Sequence, residues 1–159
     1  MLYDILFSKN WEVHMKKLND LYEYLEENKI TLIYTDKLKS VYAIYLKIDD
    51  EDFILIKKGL SEDEEFFTLT EEIAHYKTGV TASDAFSNNY TDKLIRSKNE
   101  FKAFKSCVNE LLPVGKLKSI LRDNMFKYEV ANELRLPESF VSKALDLYFE
   151  NLKDVKELF

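Results

Sequence analysis

Apolar residues recur at two different spacings in the first third of this chain, and the spacing predicts the order of its elements. Across residues 11–27 they return every three or four positions with charged residues between them, the pattern of an amphipathic helix. Residues 30–34, 41–48 and 53–57 are rich in β-branched and aromatic side chains instead. They predict a small, largely antiparallel sheet of three strands.

The remainder of the chain has mostly helical spacing. A helix is predicted at about 64–77, with the acidic run 62–65 at its positive end and Gly79 as a left-handed stop. A longer helix is predicted at about 92–112, before Pro113, and shorter helices after it. The predicted class is therefore α+β, in one domain over 1–159. We expect a core at about 1–113, with the helical tail at about 114–159 packed on it.

The first of these later helices carries a short pattern of chemical interest, Glu71-Glu72-Ile73-Ala74-His75. It is the H-E-x-x-H pattern of a helical zinc site with glutamate at the first histidine position. In the full pattern two imidazoles four residues apart bind zinc, and the glutamate between them is the general base. Glu72 and His75 keep the base and one ligand. Glu71 either supplies a carboxylate oxygen in place of an imidazole, or its presence means that no metal binds.

A third candidate ligand lies on the next predicted helix. Glu100 aligns with Ala103, Phe104, Cys107 and Leu111, a stripe that the pattern predicts to be buried. A carboxylate in such a stripe is costly unless a cation coordinates it or a basic side chain pairs with it. Glu100 is therefore expected to coordinate a metal together with His75. The alternatives are an ion pair with lysine or arginine, or an escape to solvent near the helix start.

Composition narrows the class of protein. The chain has 46% apolar residues and a net charge of -6, which argues for a soluble domain and against nucleic-acid binding by the whole surface. Residues 93–127 are the exception, with nine basic and three acidic residues, but a solvated helix face normally carries such charges, so a nucleic-acid partner is not expected. A single cysteine and the lack of a long apolar run predict a cytoplasmic protein without disulfides or a membrane partner.

Two segments together resemble a known family. Residues 67–79 read Phe-Thr-Leu-Thr-Glu-Glu-Ile-Ala-His-Tyr-Lys-Thr-Gly, residues 99–105 read Asn-Glu-Phe-Lys-Ala-Phe-Lys, and the second helix ends at Leu-Leu-Pro. The chain is similar to the ImmA/IrrE family of zinc metallopeptidases, and to its phage and mobile-element subgroup with Glu-Glu-x-Gly-His. It departs from the family at Glu71, and at Ala74, where the subgroup has glycine.

The resemblance implies a zincin-like fold, a zinc ion held by His75 and Glu100, and Glu72 as the general base. It further implies a metallo-endopeptidase that cleaves or inactivates a helix-turn-helix repressor of a mobile element. With Glu71 as third ligand, the less positive site should react more slowly and discriminate less against manganese or iron. The alternative is an inactive zincin-like module that regulates a repressor by contact.

Overall fold

The fold is that of a computed structural model, which describes residues 17–81, 90–117 and 126–151, without the side chains of 90–96 and 150–151. The start of the first predicted helix, residues 11–16, lies outside this part. The elements in chain order are α1 (17–27), β1 (Ile30–Thr35), β2 (Ala43–Ile48), β3 (Glu51–Lys57), α2 (Glu62–Thr78), α3 (Tyr90–Leu111), α4 (114–117), α5 (Lys127–Leu134) and α6 (Glu138–Asn151). The predicted α+β class is confirmed.

The three strands form one mixed sheet in the order β1-β3-β2. β2 and β3 are an antiparallel hairpin, whose turn residues Asp49 and Asp50 both have positive φ, as short hairpin turns require. β1 pairs with β3 in parallel, from Ile30 opposite Asp52 to Thr35 opposite Lys57. The expectation of a largely antiparallel sheet is therefore wrong for this pair. The seven residues between β1 and β2 let the chain cross to the far edge before the hairpin begins.

One face of the sheet is buried and the other is partly exposed. Ile54 and Ile56 of β3 have no exposed surface, and Tyr45 of β2 is buried beside them, while the alternate residues Phe53 and Leu55 keep partial exposure. α2 contacts β2 and buries Phe66, Leu69 and Ile73. This packing fixes α2, and with it the candidate motif, along the edge strand of the sheet.

The ends of α2 have specific caps. Ser61 accepts a hydrogen bond from the backbone of Glu64, and the Glu64 side chain accepts one from the backbone of Ser61, which forms a capping box. The helix therefore begins at Glu62, two residues before the predicted start. It ends at Thr78 with Gly79 in the left-handed region at φ 70°, as predicted.

The chain divides into two compact units, residues 1–107 and 108–159. In the second unit Val141 and Ala144 have no exposed surface, and the Tyr148 hydroxyl donates to the carbonyl of Leu112 at 2.8 Å. Arg135, at φ 53°, ends α5, and α6 begins three residues later at Glu138. The expectation of one domain over 1–159 stays a prediction. Among the described helices, none has the length and apolar content to cross a bilayer.

Candidate active site

A small cleft in the first unit brings together residues of α2 and α3. Its volume is about 140 Å³, and it is lined by Glu71, His75, Glu100, Ala103, Phe104 and Cys107. The three predicted metal ligands thus line the same cleft. The remaining three side chains give it an apolar wall.

His75 and Glu100 face each other across this cleft. The Nε2 atom of His75 lies 3.9 Å from a carboxylate oxygen of Glu100. The other ring nitrogen, Nδ1, is buried and has no hydrogen-bond partner among the described residues. Burial lowers the pKa of His75, although the nearby Glu100 carboxylate opposes this shift. The imidazole is therefore neutral near pH 7, the form that can donate a lone pair to a cation.

The exposure of Glu100 corrects one step of the sequence argument. Ala103, Cys107 and Leu111 of the predicted stripe are buried, but the Glu100 side chain is 54% exposed. Its position on the helix is at the mouth of the cleft, where the apolar stripe meets solvent. The premise that burial forces Glu100 to find a cation is therefore wrong. Its proximity to His75 is what recommends it as a ligand.

Glu72 occupies the other side of the motif, next to the sheet. A carboxylate oxygen of Glu72 accepts a hydrogen bond from the backbone N–H of Tyr45 on β2, at 2.7 Å. Burial raises the pKa of Glu72 to about 7 against the opposing effect of that hydrogen bond, and the charges of Glu71 and Glu100 raise it further. A carboxyl group that titrates near neutrality can both take up and release a proton in a reaction.

The donor set fits a divalent cation in chemistry and partly in geometry. Zinc bonds to imidazole nitrogen and carboxylate oxygen are about 2.0–2.2 Å long, so a tetrahedral ion places two such donor atoms roughly 3.4 Å apart. The separation of 3.9 Å between His75 and Glu100 is slightly wider, and the exposed Glu100 side chain would have to move closer to bind. No group of three or more histidine, cysteine, aspartate or glutamate side chains in the described ranges is already arranged around one point. Glu71 lines the cleft but would have to turn toward the pair.

Two tyrosines lie close to the motif. Tyr76, next to His75 on α2, packs edge-to-face against Tyr24 and Tyr45. Sequence analysis missed the role of Tyr45, because its contribution is a backbone N–H that any residue would supply. Only the pairing of β2 with β3 shows which backbone N–H groups of β2 do not bond to β3 and can donate to a side chain of α2.

Comparison with known proteins identifies the family of the chain. Residues 22–146 match the family model described as the IrrE N-terminal-like domain, of the M78 peptidases. The match includes α2, α3 and every residue that lines the cleft. No curated protein and no solved structure matches the chain. The chain therefore belongs to the IrrE N-terminal-like family of M78 peptidases, which are zinc-dependent metallopeptidases.

Proposed function

We propose that this chain is a metallo-endopeptidase that cleaves or inactivates a helix-turn-helix repressor of a mobile genetic element. One observation carries the proposal. His75 and Glu100 approach within 3.9 Å in a cleft also lined by Glu71, and the neighbouring Glu72 is half-buried, which raises its pKa to about 7 in the metal-free chain. Family membership supports the peptidase class. The repressor and the mobile element follow from the resemblance of residues 67–79 and 99–105 to the ImmA/IrrE subgroup.

The metal would be held by Glu71, His75 and Glu100. A bound zinc ion supplies Lewis acidity, which polarises the scissile carbonyl and activates water. Two carboxylates and one neutral imidazole cancel the charge of a divalent ion. We therefore expect a slower enzyme than a relative with two histidines, and less discrimination against Mn²⁺ or Fe²⁺.

Glu72 would act as the general base and then as the general acid. As a carboxylate beside the candidate ligands, Glu72 would accept a proton from the attacking water. The same group, once protonated, can give that proton to the leaving amine. The hydrogen bond from Tyr45 holds one carboxylate oxygen, so the other oxygen is the one that would exchange the proton.

The free edge of β2 offers a surface for an extended substrate. The N–H of Lys57 donates to the carbonyl of Tyr42, so the backbone N–H and C=O groups of the even-numbered residues of β2 point toward β3 and hydrogen-bond to it. The backbone groups of Ala43, Tyr45 and Lys47 therefore point away from β3, and Tyr45 uses its N–H to bind Glu72. A peptide that adds as a fourth strand would pair with the backbone groups of Ala43 and Lys47 and with the carbonyl of Tyr45, next to the candidate base.

A second function has its own supporting observation. Glu71 replaces the first histidine of the motif, and the described residues contain no ready group of three or more ligands. An inactive module that binds the repressor by contact would need no metal. It would use the same β2 edge without hydrolysis.

The deciding experiment uses purified chain and the repressor encoded nearest to it. We expect zinc-loaded wild-type chain to cut the repressor, and Glu72→Gln to leave it intact while still binding zinc and repressor. Glu110→Gln, an exposed carboxylate of α3, is the matched control and should cut normally. Binding of the repressor without cleavage at any loading with Zn²⁺, Mn²⁺ or Fe²⁺ would support the inactive module instead.

A further inference from the structure

A second cavity of the first unit lies apart from the candidate metal cleft. Its volume is about 530 Å³, and it lies between the C-terminal ends of α1 and α2 and the hairpin of β2 and β3. We call it the tyrosine cavity, after Tyr24, Tyr45 and Tyr76. The described residues that line it are all different from those that line the metal cleft. Small-molecule sites have volumes of roughly 300–1,000 Å³, so this cavity has the size for a ligand of its own.

The three tyrosine rings form an aromatic wall. The centre of the Tyr76 ring lies 6.5 Å from that of Tyr24 and 5.9 Å from that of Tyr45, and both pairs pack edge-to-face. Tyr45 is buried, while Tyr24 and Tyr76 are half-buried and leave part of their surface open. Burial raises the pKa of Tyr24 and of Tyr45, so both hydroxyls stay protonated at neutral pH. The wall therefore offers an uncharged aromatic surface to a ligand.

The charged side chains of the tyrosine cavity favour an anion. Lys47 and Lys77 are exposed and bring two ammonium groups to its lining. Among the described lining residues the one carboxylate is Asp52, and one of its oxygens accepts a hydrogen bond from the Tyr45 hydroxyl at 2.6 Å. The Lys77 ammonium lies 4.9 Å from the centre of the Tyr24 ring, a cation–π contact that holds it beside the aromatic wall.

Two nearby sources of negative charge weaken this preference only slightly. The C-terminal end of α2 reaches the cavity at Gly79, but its last carbonyls accept hydrogen bonds from the backbone N–H groups of Gly79 and Val80. Lys77, in the last turn, further offsets the helix dipole. The acidic residues 49–51 of the hairpin are exposed, where water and salt screen their charges. The cavity therefore keeps a positive character in a protein of net charge -6.

We propose that the tyrosine cavity binds a small molecule that joins a planar heteroaromatic ring to a phosphate, the chemistry of a nucleoside monophosphate. The ring would stack on the open tyrosine surface, as bases do on aromatic side chains. The phosphate would bind Lys47 and Lys77, since two ammonium groups match its charge of about -2 better than the single charge of a carboxylate.

The volume supports a ligand of two parts. Benzene alone fills an apolar cavity of about 150 Å³, whereas this cavity has about 530 Å³. Inorganic phosphate would leave most of that space to water and would not use the aromatic wall. The inference goes beyond the proposed hydrolysis and does not depend on it, because no candidate metal ligand lines the cavity.

Isothermal titration calorimetry on the purified chain tests the site. EDTA is present throughout, so that no metal ion can recruit the phosphate. We expect at least one of AMP, GMP, CMP and UMP to bind one-to-one with a submillimolar Kd. The corresponding nucleoside and inorganic phosphate should each bind roughly 10-fold more weakly or worse, since each keeps only one part of the contacts.

Variants separate the two halves of the site. Lys77→Gln and Lys47→Gln, both at exposed positions, should each weaken the nucleotide by roughly 10-fold and leave the nucleoside unchanged. Tyr24→Leu should weaken nucleotide and nucleoside alike, and thermal unfolding checks that it folds. Lys102→Gln, an exposed lysine of α3 that does not line the cavity, is the matched control and should bind as wild type.

Three results would overturn the proposal. The first is no binding of any of the four nucleotides at millimolar concentration. The second is inorganic phosphate that binds as tightly as the nucleotide, because the ring would then contribute nothing. The third is a nucleotide affinity that stays unchanged in both Lys47→Gln and Lys77→Gln, which would place the ligand elsewhere. None of these results bears on the peptidase, which is tested separately by cleavage of the repressor.

Discussion

At the scale of the residue, the half-buried carboxyl of Glu72 predicts a dependence of stability on pH. Its pKa of about 7 lies above the ordinary value of 4.5. The folded state therefore holds the proton more tightly than the unfolded state, so this contribution is complete below pH 4.5 and is lost as pH rises through 7. The loss is on the order of 3 kcal/mol for the metal-free chain.

Glu72→Gln removes this loss, because glutamine carries no charge at any pH and its amide oxygen can still accept from Tyr45. In urea denaturation with a chelator present, we expect the variant to gain stability over wild type between about pH 5 and about pH 8. Glu110→Gln, at an exposed position, should show no such gain. A difference between Glu72→Gln and wild type that stays constant over this range would mean that Glu72 is not buried as described.

At the scale of the element, the start of α2 depends on Ser61. Its hydroxyl accepts from the backbone N–H of Glu64 in the capping box. Ser61→Ala should lower the free energy of unfolding by about 1 kcal/mol, because that N–H would lose its protein partner. Ser40→Ala, an exposed serine in the loop before β2, is the matched control. Equal denaturation midpoints for the two variants would show that the cap contributes little.

A second feature at this scale joins three elements through one carboxylate. Tyr22 of α1 and Tyr34 of β1 both donate to the same oxygen of Glu65 on α2. Burial first, and then the hydrogen bond to Glu65, raise the pKa of Tyr22 and of Tyr34, so both remain donors over the physiological range. These contacts hold α1 and β1 against the helix that carries the motif.

Removal of either hydroxyl tests this joint. Tyr22→Phe and Tyr34→Phe should each cost about 1–2 kcal/mol, because both are bonds to a charged group. The double variant should differ from the sum of the singles by about 0.5 kcal/mol or more, since the two donors share one acceptor. Strictly additive losses in urea denaturation would show that the two hydrogen bonds act independently.

At the scale of the whole molecule, a bound ion should stabilise the fold. An ion that binds only the folded chain adds about 2.7 kcal/mol when its free concentration is a hundred times Kd. We expect zinc to raise the unfolding temperature of wild type and a chelator to reverse the rise. His75→Ala and Glu100→Ala should lose the effect, and Glu110→Ala should keep it. A zinc-induced rise that survives in His75→Ala would place the ion elsewhere.

The sequence by itself determined the elements and the chemical types of the site. Periodicity placed α2, α3 and the three strands within a few residues, because the spacing of apolar side chains depends on local geometry. The motif selected Glu72 as the candidate base and His75 as a candidate ligand by their spacing on one helix. Gly79 was identified as the helix stop, because few other residues adopt positive φ readily.

Tertiary structure decided the relations between elements that are far apart in sequence. Whether β1 pairs in parallel or antiparallel depends on whether it joins β3 or β2, and no residue of β1 encodes that choice alone. The exposure of Glu100 depends on where α3 meets the cleft, and the pKa of Glu72 depends on its burial against β2. The distance between His75 and Glu100, and the cleft that these residues line, exist only once α2 and α3 pack against each other. These quantities arise from contacts across the fold, which a local pattern does not contain.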